Sequence, residues 1–167
     1  MYKIGDYVVY SCQGVCRIGA MEERNVQGNK RLFYVLHPVY QSEASYMIPS
    51  DNPAALAKLR PIITRQELDK ILADENMRQS CWIADENQRK QRYRELIVGS
   101  DYAALVQMVH TLHQHKQQQR QAGRKVHLCD DNFLHDAQRL LTGEFAAVLG
   151  IAPEQVESYV LNALNRE

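Results

Sequence analysis

No stretch of the 167-residue sequence is apolar for long enough to span a bilayer, and the opening Met1-Tyr2-Lys3-Ile4-Gly5-Asp6 lacks the apolar core of a signal peptide. No membrane association is expected, and the cytoplasm is the expected compartment. Cysteine is sparse: four residues without the tight, even spacing of a secreted scaffold read as reduced thiols. Cys12 and Cys16 stand four apart, but a zinc site needs two more ligands and no second close cysteine pair exists. A phosphate-binding loop, HExxH and GxSxG are all missing, so nothing assembles a nucleophile with its base. No metal, cofactor or small-molecule substrate is expected.

Net charge is absent as well, with 20 basic and 20 acidic side chains, which excludes a protein that coats nucleic acid indiscriminately. The balance is uneven along the chain. Residues 82–125 carry eight basic and four acidic side chains, whereas residues 126–167 carry two and seven. A cationic middle and an anionic tail point to a local contact face. Charged residues make up 24% of a sequence that is 45% hydrophobic, a globular composition with room for one domain or two small ones.

What is present begins with β-formers. Residues 3–10 (KIGDYVVY) open on a Gly-Asp turn, and Gly14 permits a sharp bend into Val15-Cys16-Arg17-Ile18. Residues 21–26 and 31–36 flank Gln27-Gly28-Asn29-Lys30, which reads as a hairpin, and a further strand over 44–48 is stopped by Pro49. Five short strands with polar turns fit a small antiparallel barrel, an architecture that usually binds and rarely catalyses.

After Leu59-Arg60-Pro61-Ile62 the period changes from two to helical. Thr64-Arg65-Gln66-Glu67 is a capping box, so the boundary falls near residue 62, dividing the chain into 1–62 and 63–167. A second helix is expected from Asp85 to Val98, and a third from a Ser100 or Asp101 cap to Gln121. The fourth should start near Asp130 or Asp131 and end at Gly150, and the fifth should open on Pro153. The fold class is α+β: the barrel, then a compact domain of about five helices. His110, His113 and His115 lie on the third helix without an adjacent acid to complete a metal site, and read as part of a Gln/His-rich solvated helix end.

The only tryptophan, Trp82, stands just ahead of a helix carrying Arg89, Lys90, Arg92 and Arg94, with Tyr93 among them. A lone Trp is commonly a packing residue. Placed beside cations on one short element, it also matches the pairing of phosphate neutralisation with contact to partly unstacked bases. The bland alternative is a solvated helix face, with Glu86 and Lys90 as an i,i+4 pair. Spacing leaves both open.

The opening Lys3-Ile4-Gly5-Asp6-Tyr7-Val8-Val9-Tyr10, the Gly14-Val15 bend and Leu59-Arg60-Pro61-Ile62 resemble the amino-terminal module of the CarD/CdnL family of bacterial transcription regulators. So do Trp82, Arg92-Tyr93-Arg94 with Gly99-Ser100-Asp101, and Ala137-Gln138-Arg139-Leu140-Leu141 followed by Gly143-Glu144. The resemblance implies a Tudor-like barrel that binds the RNA polymerase β subunit. It also implies a helical domain that lays a Trp and basic residues against promoter DNA at the upstream edge of the bubble, steadying the open complex.

Carried over, Trp82 is the wedge and Arg94, with Arg89, Lys90 and Arg92, contacts phosphate. Arg24 falls where the family places a polymerase-contacting arginine, and Met47 replaces a second, basic contact ahead of Pro49. Ser11 and Gln13 replace a Pro and a His common in the family, and the interval from Trp82 to Tyr93 is longer than in its shorter members. The resulting expectation is a monomeric, non-catalytic, nucleoid-associated regulator. A protein-only adaptor, with Trp82 as an interface hot spot, is the alternative.

Overall fold

The computed structural model describes residues 1–10, 13–40 and 43–166; Ser11 and Cys12, and with them the Cys12–Cys16 spacing, lie outside these. The chain divides into two compact units, Met1–Ile63 and Thr64–Glu167.

The first unit is one antiparallel sheet of β1 (Tyr7–Tyr10), β2 (Val15–Val26), β3 (Asn29–Pro38), β4 (Tyr46–Pro49) and β5 (Leu59–Pro61), ordered β4-β3-β2-β1-β5. A single helical turn, α1 (Pro53–Leu56), precedes β5; Asn52 caps it by accepting from the N–H groups of Ala54 and Ala55, and Pro53 fits its first position. All five strands contribute to one core of Val8, Cys16, Ile18, Tyr34, Leu36, Ile48 and Leu59. The sheet therefore curls around its own interior.

Two details differ from the sequence expectation. Residues 15–18 and 21–26 are not separate strands but one, β2, whose register with β3 shifts between Ile18 and Ala20. Such a bulge bends a strand without ending it. Gly19 sits at the bend because a Cβ there would fall 2.4 Å from the His37 ring. The fifth strand is Leu59-Arg60-Pro61, which pairs with β1, while the strand expected over 44–48 is β4.

The second unit holds α2 (Arg65–Ala73), a 3₁₀ turn (Glu75–Arg78), α3 (Glu86–Gly99), α4 (Tyr102–Gln121), α5 (Leu128–Leu149) and α6 (Pro153–Leu164). The capping box is formed: Thr64 Oγ1 accepts from the Glu67 N–H at 3.2 Å, and Glu67 Oε2 accepts from the Thr64 N–H at 2.9 Å. Asp85 and Asp101 cap α3 and α4, each accepting at 2.8 Å from the backbone N–H three residues on. At its far end α5 stops at Gly150, which takes the left-handed conformation (φ +66°) that glycine adopts without a Cβ clash.

The α4 helix is buried more widely than its stripe of Leu105, Val106, Val109 and Leu112 implies. Met108, His110 and Thr111 are buried too, because α3, α5, α6 and the 3₁₀ turn all pack against it. His110, at 2% exposure, is thus a core residue and not part of a solvated end. Among the described residues no helix is long and apolar enough to cross a membrane.

Candidate functional site

The α3 helix is so polar that only a narrow line of it is buried. Arg89 and Tyr93 are buried, and Leu96 and Ile97 half-buried, at the i, i+4, i+7, i+8 spacing of one helix face. Tyr93 packs edge-on against Phe133, its hydroxyl buried beside the Cys81 thiol without a well-formed hydrogen bond, and burial pushes its pKa up. Arg89 is the unexpected member of the line. It is 4% exposed, and its Nε and Nη2 donate to Oδ1 and Oδ2 of the equally buried Asp130 at 2.9 and 3.2 Å.

The remaining nitrogen of Arg89, Nη1, donates to the carbonyls of Ile83 and Ala84 at 2.8 and 3.3 Å. The guanidinium therefore ties the segment that carries Trp82 to α5. On the other side of Trp82, the Cys81 N–H donates to Thr111 Oγ1 on α4 at 3.0 Å. Trp82 itself is half-buried and stacks on His115 of α4, with ring centroids 3.6 Å apart and planes 17° from parallel. The Arg89 guanidinium carbon also lies over the indole, 4.2 Å from its centroid. His115 is further held by Gln119, 3.3 Å from its Nε2, and burial lowers its pKa.

The remaining cations of α3 face solvent to different degrees. Lys90 is half-buried and bridges to Glu86 one turn back, a contact that raises its pKa and lowers that of Glu86. Arg92 is exposed, with Glu95 at 3.5 Å. Arg94 is exposed and has no ion-pair partner among the described residues. Of the four expected phosphate contacts, then, Arg92 and Arg94 stand in solvent, Lys90 is partly engaged, and Arg89 is turned inward. The reason is its place in the buried line with Tyr93.

In the first unit, Arg24 is exposed on β2 with its Nη2 3.0 Å from Glu22. Met47 is half-buried on β4, opposite Val35 of β3, and Arg24 is opposite Arg31. Residues 31, 33 and 35 alternate with the core residues Tyr34 and Leu36, so Arg24 and Met47 share the sheet face turned away from the core.

Sequence reasoning missed Asp130 as the partner of Arg89 and His115 as the ring stacked on Trp82. The i, i+4, i+7 spacing of Arg89, Tyr93 and Leu96 was the available signal that Arg89 points inward and requires a buried acid. Among the described residues, no group of three or more His, Cys, Asp and Glu is arranged to hold a metal ion.

The first unit is thus a five-strand sheet curled on its own core, with the β2–β3 hairpin exposed at its tip. Residues 2–63 match the family model described as the CarD-like/TRCF RID domain. The first unit is therefore similar to a domain class that interacts with RNA polymerase, and the unit that follows it in sequence is helical and bears Trp82.

Proposed function

We propose that the protein is a non-catalytic transcription regulator whose RID binds the RNA polymerase β subunit through the Arg24 and Met47 face. In this reading residues 63–167 form a DNA-binding domain that contacts promoter DNA at the upstream edge of the bubble and stabilises the open complex. Trp82 meets exposed bases, while Arg94 and Arg92, with Lys90 beside them, neutralise phosphate. The protein acts in the cytoplasm, at the nucleoid, as a monomer. The observation that carries the reading is a match to a polymerase-interacting domain on the same chain as a half-buried tryptophan that stands just ahead of a helix bearing the solvent-facing Arg92 and Arg94.

Open-complex lifetime tests it. Base stacking on an aromatic contributes about 1 to 3 kcal/mol, so Trp82→Ala should shorten the lifetime roughly five- to a hundredfold. Losing the His115 stack and the Arg89 contact should cost only about 1 to 2 kcal/mol of stability, leaving the fold intact. Arg94→Ala should instead flatten the salt dependence of forked-DNA affinity by about one phosphate contact, near 0.9 in log-log slope. Val98 and Leu128, 84% and 75% exposed in the same unit, favour the adaptor as a second reading. An unchanged lifetime and a flat salt response would select it.

A further inference from the structure

We infer that Arg89, Asp130 and His115 are positioning residues for Trp82: they form a socket that holds the indole in one orientation before any partner arrives. The inference rests on the proposed role of Trp82 only for its functional consequence; the socket itself is a property of the free protein. Three observations converge on it. The Arg89 guanidinium is engaged on every side between this segment and α5: two nitrogens go to Asp130, the third to the carbonyls of Ile83 and Ala84, and its carbon lies 4.2 Å from the indole centroid. His115 stacks on the ring at 3.6 Å, and the backbone just before Trp82 is pinned to Thr111.

These contacts join the short connection ahead of α3 to α4 and α5 at once. A flexible connection bearing a large aromatic would otherwise be ordered only on binding, with a cost in affinity. The chemistry of the pair suits the task. A planar guanidinium offers donors in a fixed fork and a flat face that lies on an aromatic ring, which a lysine ammonium does not. Asp130 neutralises the charge and fixes the rotation of the fork.

Because Trp82 is the only tryptophan, its fluorescence reports the socket directly. The decisive variant replaces both charges, Arg89→Met with Asp130→Leu, since an apolar exchange of a buried pair commonly keeps stability whereas removing one partner does not. In the full chain, this variant should melt near the wild type, show a fast local component in the time-resolved anisotropy of Trp82, and bind a forked duplex about two- to tenfold more weakly with an unchanged salt slope. Unchanged anisotropy would overturn the inference. Should the double variant not fold, His115→Ala, which alters only a half-buried contact, is read in the same way: increased local rotation supports the socket and unchanged rotation overturns it. If rotation increases but even the wild type fails to prefer forked over blunt duplex, the socket stands and the DNA reading falls.

Discussion

Arg89 carries a full charge to a place where it is 4% exposed, and such a charge persists only if it is paired and hydrogen-bonded. Asp130 meets that need from 41 residues away. His115, 33 positions beyond Trp82, meets a different one by covering the indole with a neutral ring. Its pKa is lowered first by burial, then by the nearby Arg89 and His127, while Asp130 acts in the opposite sense. The sign of the pH effect follows. The unfolded chain takes up the proton first, at about pH 6.5, so the stability associated with a neutral His115 is complete above that value and is lost as pH falls through the lower folded-state pKa. Buried His110 acts in the same direction. Trp82 emission isolates His115 from the rest: titration from pH 8 to 4 should show a quenching step centred below 6.5, absent in His115→Gln. A midpoint at or above 6.5, or a step that survives the substitution, would contradict the burial argument. Local sequence carries only the i, i+4, i+7 spacing that turns Arg89 inward; the identities of its partner and of the ring on Trp82 are not visible there. The cations of α3 and the lone tryptophan stand out in the chain, but whether a cation points to solvent or into the unit is decided by the residues that pack on it from α4 and α5.

At the scale of elements, what was legible is what the chain encodes within a few residues. Thr64 caps its helix as read, Asp101 rather than Ser100 caps α4, and Asp85, read as the start of its helix, is its cap, because a cap is a side chain meeting a backbone N–H two or three positions on. The long-range parts were less so. Bulged β2 reads as two strands because Gly19 breaks its pattern, and β5 is only three residues long, held by its ladder to β1. The hairpin tip gives a quantitative test. Gln27 and Gly28 both have positive φ, +51° and +85°, as a type I′ turn requires. Glycine and asparagine adopt that conformation at lower cost than glutamine. Gln27→Asn, which makes Asn-Gly, should therefore stabilise the first unit by up to about 1 kcal/mol, seen as a higher melting temperature in the full chain. A lower melting temperature would mean the strained turn is compensated by contacts of the Gln27 side chain.

For the molecule as a whole, two units with separate cores predict separable losses. Arg24, exposed on β2, is remote in sequence from α3 and contributes nothing to the core of its own unit. Arg24→Glu should weaken capture of the polymerase β subunit while leaving forked-DNA affinity and its salt slope at wild-type values, because reversing an exposed charge acts on recognition more than on folding. Arg94→Glu should do the converse. An Arg24→Glu protein that loses both activities would show that the two are not carried by separate units.

The join between the units has its own implication. β5 ends at Pro61, and the donor and acceptor groups that start α2 are supplied from Thr64 onward, so α2 borrows no cap from the strand before it. In the language of gene assembly, a coding break at 63–64 leaves the five-strand sheet on one side and, on the other, a helix that carries its own capping box. Each side of such a break keeps the hydrogen bonds of its own end, the sheet through the β1–β5 ladder and the helix through Thr64 and Glu67.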